Sequence, residues 1–368
     1  MGWNENLRRL AETLVNYSVE VNEGDETAIM GSDLAAPLVQ ELYRAVLVAG
    51  GHPSVICKPA DLDYIFYQHA SEEQLQHKPP LFKQVAETFD ATIRIRSGHN
   101  TRSLTGIDGS RIARRRRATD EIMATFMQRA AEDELRWVLV QFPTHSRAQE
   151  AEMSLVEYRE FFREACKLTQ EDPVALWEGI EGEQERIIEF LNGVSDIRIV
   201  APDTDLELST AGRTWINCCG KRNYPDGEVF TGPLENSATG HIRFSFPGIY
   251  SGREIRDIRL EFEDGEVTDA SAEKGEHLLR ELLDTDDGAK RLGELGIGTN
   301  HGIQKFTRNM LFDEKMGGTV HLALGRGYPA SGSENESGIH WDILCDMREG
   351  GQIYADGEVI YEDGKFSI

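Results

Sequence analysis

The segment IHWDI (339–343) places an imidazole and a carboxylate two residues apart in a run of strand-forming residues. Residues i and i+2 of a strand project from the same face, so His340 and Asp342 point together while Trp341 and Ile343 turn the other way. That pair suits a divalent metal ion. Alone, H-x-D is also the pattern of a surface pair or of a hydrogen-bonded core histidine. His321 stands inside the apolar run TVHLALG (319–325), where a buried ring must satisfy two nitrogens, through backbone groups or as a ligand. Asp313 and Glu314 precede that run across the pair Gly317-Gly318. NYPDGEVFTGP (223–233) sets Glu228 at the start of a strand, and RLGELGIGTN (291–300) sets Glu294 among apolar residues and glycines. Asp and Glu make up 64 of the 368 residues, so any one of these acids, taken singly, is ordinarily a solvated one.

Two kinds of element must hold these residues. Up to about residue 190, short apolar runs alternate with helical stretches: ETAIMG (26–31), PSVICKP (53–59), ATIRIRSG (91–98) and RWVLVQFPT (136–144) read as strands. Strands alternating with helices predict a parallel sheet covered on both faces, hence a doubly wound α/β domain over 1–190. The turn after the first run, Gly31-Ser32-Asp33-Leu34, has neither a G-x-G-x-x-G pattern nor a P-loop lysine, which argues against a nucleotide. The glycine-rich GELGIGTNHG (293–302) also lacks both phosphate-binding spacings. From about 191 the texture changes to alternating strands joined by Asp-Gly turns, as in EFEDGEV and YADGEVIYEDG. Residues 191–368 are therefore expected to form a mainly antiparallel α+β domain. Its one clearly helical stretch is EKGEHLLRELLDTDDGAKRLGEL (273–295).

Composition narrows the function classes. The formal charge is −25, and its basic residues are mostly arginine. Such an acidic surface repels phosphates and argues against nucleic-acid binding. It suits a salty cytoplasm and a halophilic source, although an ordinary acidic enzyme would have the same composition. The run Arg114–Arg117 falls in a helical segment and reads as a solvated face or a contact with an acidic neighbour. No run of eighteen apolar residues offers a membrane span, and the charged N-terminal helix lacks the pattern of a secretory leader. Five cysteines without a C-x-x-C pair fit buried thiols in a reducing, cytoplasmic compartment.

Taken in order, NYPDGEVFTGP, ELGIGTN, DEKMGGTVHLALG, GYP and SGIHWDI resemble the successive motifs of the aminopeptidase T and aminopeptidase S family of metallopeptidases. GDETAIMG and FPTHSRAQEAEMS in the first half are similar to family segments too, so the likeness covers nearly the whole chain. The resemblance implies an enzyme that removes N-terminal residues from peptides with a free N-terminus, acting as a homodimer. It implies two divalent metal ions per chain (zinc, cobalt, magnesium or manganese) sharing an activated water. The family's ligands fall on Glu228, Glu294, Glu314, His321, His340 and Asp342, with Glu294 placed to bridge the two ions. In some members the acid lies nearer the histidine than Glu314 does here, which keeps Asp313 as the alternative. Tyr328 of the GYP segment matches a site tyrosine whose phenol would donate to the oxyanion. The α/β domain would then shape substrate access and dimer contacts.

Two other readings use the same residues. Ring-cleaving dioxygenases acting on dihydroxypyridines also carry the final H-x-D, and Glu294, His340 and Asp342 could form a single-iron site. Those enzymes carry histidine where this chain has Glu294, so Glu294, Glu228 and His321 favour the two-metal peptidase over it. An inactive homologue that only captures peptides is the remaining alternative.

Overall fold

The structure is a computed structural model that describes residues 2–368. The chain divides into two compact units. One runs up to Val174 and takes in Gly220–Pro225; the other comprises Ala175–Cys219 and Asp226–Ile368. The helix Pro173–Leu191 thus lies almost wholly in the second unit.

In the first unit, β1 (Glu26–Ser32), β2 (His52–Lys58), β3 (Ala91–Arg96) and β4 (Arg136–Gln141) form a parallel sheet in the order β2-β1-β3-β4. A two-residue strand, β8 (Asn223–Tyr224), extends it beyond β4. Helices Ala36–Val48 and Gly109–Ala131 make crossovers between successive parallel strands, as the alternating pattern requires. The strand order reverses between β1 and β3, which opens a crevice beyond their carboxyl ends. On the long helix, Arg114 pairs with the acidic neighbour Glu72, and Arg115 donates to the carbonyls of Leu75 and His77.

The second unit holds two large antiparallel sheets and a separate two-stranded one. The larger contains β5 (Asp196–Ala201), β6 (Thr204–Ser209), β10 (Thr239–Phe244), β13 (Ile258–Glu263), β14 (Glu266–Ser271), β18 (Gln352–Ala355), β19 (Glu358–Glu362) and β20 (Lys365–Phe366). The smaller contains β7 (Ile216–Cys218), β9 (Glu228–Thr231), β15 (Leu292–Gly298), β16 (Thr319–Gly325) and β17 (His340–Asp346), in the order β17-β16-β15-β9-β7. A short hairpin joins β11 (Gly248–Tyr250) to β12 (Arg253–Ile255). The Asp-Gly turns at 264–265, 356–357 and 363–364 have positive φ at both residues, the conformation that matches the twist of a two-residue hairpin. One core is shared between the sheets: Leu206, Phe244 and Leu260 from the larger meet Leu295, Leu322 and Ile343 from the smaller.

The helix expected over 273–295 is much shorter. It spans Glu276–Leu283, a 3₁₀ turn follows at Asp287–Lys290, and Leu292–Gly298 is a central strand. Asp284 caps the helix, and the Asp286 side chain accepts from Ala289 N, so the acid-rich Asp284–Gly288 stretch favours turn over helix. Beyond it Leu292, Leu295 and Ile297 enter the core, which period-3.6 reading had obscured. Cys57 is another departure: it is exposed on β2, whereas Cys166, Cys219 and Cys345 are buried. All five cysteines are free thiols.

Candidate metal centre

Alternation in the smaller sheet separates chemistry from packing. Val229, Leu295, Ile297, Val320, Leu322, Leu324, Trp341 and Ile343 turn into the core. The residues between them face the other way. Cα register places Gly298 opposite Glu228, Gly296 opposite His321, Ala323 opposite both Glu294 and Asp342, and Gly325 opposite His340. Glu228, Glu294, His321, His340 and Asp342 therefore share one face, drawn from four adjacent strands.

Glycine keeps that face open. A Cβ on Gly296 would lie 2.1 Å from Cε1 and 2.2 Å from Nε2 of His321, so the imidazole occupies the space a side chain would fill. A Cβ on Gly298 would lie 2.1 Å from the Met316 carbonyl oxygen. Gly296 and Gly298 of GELGIGTN are thus explained by crowding around the site.

The donors converge. His321 Nε2 is 3.1 Å from Glu294 Oε1, in a hydrogen bond, and 3.7 Å from Glu228 Oε2. His340 Nε2 lies 3.3 Å from Asp342 Oδ1 and 3.9 Å from Glu294 Oε2. The Nδ1–H of His340 donates to the Arg326 carbonyl at 2.6 Å, which leaves Nε2 as the atom turned to the acids. Glu294, His340 and Asp342 each offer a ligand atom within 4.8 Å of the others, and so do Cys218, Asp226 and Glu228 beside them.

Lys315 was missed in the sequence. Its fully buried ammonium donates to Glu228 Oε1 at 2.7 Å and to Glu314, with Asp226 Oδ1 3.8 Å away. Glu314 thereby joins the cluster through Lys315. Asp313 points elsewhere: Thr307 N and Oγ1 donate to its Oδ1 at 2.8 and 2.7 Å, and Asn309 N donates to Oδ2 at 2.8 Å. Both its oxygens are committed to the 307–309 loop. Tyr328 sits at the rim, half exposed, its ring centroid 5.3 Å from that of His340 and 5.5 Å from that of Phe230.

Burial dominates the electrostatics. It raises the Glu294 carboxyl, against the hydrogen bond from His321, and pushes Glu314 up to about 8 despite Lys315. Burial alone would lower the two imidazoles, but the acids reverse it. Glu294 and Glu228 bring His321 to about 9, and Asp342 and Glu294 bring His340 to about 10. Asp342 resists burial through His340 and stays below the usual carboxylate range. Burial raises the Tyr328 phenol, with Glu294 and Asp342 adding to the effect, so it remains a proton donor at neutral pH. The site is a concentration of buried negative charge that draws protons onto its histidines.

That charge fits a cation. Glu228 Oε2, Glu294 Oε2 and Asp342 Oδ1 are buried with no hydrogen-bond partner, as is His321 Nδ1. Leaving such atoms unsatisfied costs about 1–3 kcal/mol each, and native interiors seldom do so without a ligand or ion to fill the place. Carboxylate oxygens and imidazoles are the donor set of a borderline divalent ion.

The thermophilic metalloprotease (M29) family matches residues 3–366. Aminopeptidase 2 of Geobacillus stearothermophilus is 30% identical over 356 residues, which cover 89% of this chain and 85% of that one. Wild-type AmpT from Thermus thermophilus superposes with a TM-score of 0.86 at 25% identity over the full length of both chains. The 2,5-dihydroxypyridine dioxygenase of Pseudomonas putida KT2440 has a TM-score of 0.58 at 14% identity, covering 100% of this chain and 98% of that one, a likeness of fold alone. With a match across nearly every residue and a face of unsatisfied metal-type donors, the chain belongs to the M29 family of thermophilic metalloproteases.

Proposed function

We propose that the chain is a metal-dependent aminopeptidase that hydrolyses the first peptide bond of substrates with a free N-terminus. The observation that carries the reading is the glycine-cleared sheet face on which Glu228, Glu294, His321, His340 and Asp342 meet with buried oxygens unmatched. Glu294, His340 and Asp342 would hold one divalent ion; Glu228 and His321, with Glu314, would hold a second, and Glu294 reaches both groups. Bound ions supply Lewis-acid polarisation of the scissile carbonyl and a water acidic enough to attack at neutral pH.

The chain's own residues do the rest. Arg326 holds the His340 ring through its carbonyl, so Nε2 keeps one orientation. Lys315 clamps Glu228 and Glu314 and offsets part of their repulsion. The substrate's free α-amino group would be recognised at this cluster, by an ion or by a carboxylate oxygen, which restricts cleavage to chain ends. Tyr328 stands at the rim with its phenol protonated and would donate to the oxyanion that develops on the carbonyl. Zinc, cobalt, magnesium and manganese all suit these donors, and a homodimer is the assembly this reading carries. Free thiols at all five cysteines support a reducing, cytoplasmic setting. No helix among the described residues is long and apolar enough to cross a membrane.

The single-iron reading needs only Glu294, His340 and Asp342 and leaves Glu228 and His321 idle, though both lie within ion-pair distance of that cluster or of each other. The test is metal analysis of purified protein together with hydrolysis of aminoacyl reporters. About two divalent ions per chain, loss of turnover on chelation and resistance of N-acetylated peptides are expected. Undiminished cleavage of acetylated peptides would end the exopeptidase claim, and one iron with no peptidase activity would favour the dioxygenase chemistry.

A further inference from the structure

The first unit carries none of the residues above, yet it contains a cavity of about 620 Å³, within the range of small-molecule sites. It lies at the carboxyl ends of β1 and β3, where the strand order reverses, and Ser32, Ser97 and Gly98 line its edge. A single row of register partners runs across four strands into it: Ile56, Met30, Arg94 and Leu139. Three members are apolar, as expected for a sheet face covered by helices. The fourth is a guanidinium.

We infer that this cavity binds a small organic acid, a single carboxylate on an apolar body, through Arg94. No carboxylate of the described residues lies within ion-pair distance of Arg94, and its Nε is buried without a hydrogen-bond partner. Its Cζ lies 4.6 Å from the Phe126 ring centroid, which steadies the guanidinium while leaving its N–H fork available. In a chain of net charge −25, an arginine left without a counter-ion among apolar side chains is a costly choice unless a ligand completes it. The other three cations lining the cavity differ: Lys58 is paired with Asp63, Arg115 is engaged by backbone carbonyls, and Arg96 is engaged as well. Four cations against the carboxylates Asp61 and Asp63 disfavour a ligand carrying an ammonium. A phosphate ester is disfavoured as well, because Asp33 occupies the first turn after β1 and no glycine-rich loop follows the strand. Apolar walls including Phe82, Ile122 and Phe126 would receive an aliphatic or aromatic body.

Isothermal titration of the intact protein tests this with decanoate and N-acetylphenylalanine as the acids, and with 1-decanol and decylamine as controls. One equivalent of at least one acid should bind, decanol should bind at least tenfold more weakly, and decylamine should not bind. Whichever acid binds tighter assigns an aliphatic or an aromatic source. Arg94→Gln should weaken the acid at least tenfold and leave aminoacyl-reporter turnover unchanged. Arg94→Met should weaken it equally and melt no lower than the parent, since Met suits the apolar row. Equal binding of decanol, acid binding indifferent to Arg94→Gln, failure of both acids at millimolar concentration, or an Arg94→Met protein that melts well below the parent would each overturn the inference. The last result would assign the guanidinium to the fold.

Discussion

Gly296→Ala perturbs the proposed centre by one methyl group without replacing any proposed ligand. The added Cβ would sit 2.1 Å from Cε1 of His321, whereas ordinary contact begins at 3.4 Å, so the ring must retreat by about 1.3 Å. Metal–ligand distances tolerate about 0.2 Å of error, so that retreat removes His321 as a ligand and breaks its hydrogen bond to Glu294. Misplacement of this order costs about 100-fold in turnover, while overpacking a tight site costs about 1–3 kcal/mol of stability. The comparison that separates the two effects is Leu295→Ala, on the same strand but facing the core. It should cost about 2–5 kcal/mol, more stability than Gly296→Ala, yet keep its metal and most of its kcat per folded molecule. The assays are metal content by mass spectrometry, kcat on an aminoacyl reporter and thermal midpoint for all three proteins. If Gly296→Ala retains full metal and near-parental turnover, or if Leu295→Ala loses metal to the same degree, the assignment of the two faces is wrong.

Glu294→Gln keeps the shape of the side chain but removes the charge and one good acceptor. Metal content should fall from about two ions and kcat by about 100-fold or more, with secondary structure intact by circular dichroism. A second expectation concerns acid stability. Glu235 is pulled below the usual glutamate value, against burial, by the Glu334 amide and Arg213. A depressed carboxylate contributes stability that is present above its unfolded pKa and lost as pH falls through its folded one. Glu235→Gln should therefore melt lower than the parent at pH 7, with the gap closing below about pH 4; a gap that is constant with pH would remove Glu235 from the account.

Most of the site was legible because it lies on strands. His340 and Asp342 are two apart, and period 2 alone places them together; His321 is embedded in an apolar run and so had to be either bonded or a ligand. The four parallel strands were equally plain, since each is a short apolar run between helices. Glu294 was harder to place. Its strand follows an acid-rich turn, and a helical pattern fitted the same letters until core burial of Leu292, Leu295 and Ile297 showed otherwise. Lys315 could not be found from pattern, because a lysine between an acid and a methionine reads as surface. Only the fold brings Glu228, 87 residues distant, within 2.7 Å of it. Asp313 and Glu314 were indistinguishable in sequence, and the 307–309 loop separates them by taking both oxygens of Asp313. The pairing of Asn223–Tyr224 with β4 likewise carries no local signal, being two residues long.

Segregation of the smaller sheet into two faces has an evolutionary consequence. Residues such as Leu295, Leu322 and Ile343 sustain the fold, and their neighbours in sequence form the proposed metal centre. Replacing an acid by a histidine, or a ligand by an inert residue, on the site face changes the chemistry available while leaving the core residues of the other face in place. Side chains on the two faces point away from one another, so substitutions on one face leave the packing of the other largely in place. A scaffold of this kind can drift from one reaction to another through a few exchanges at alternate positions.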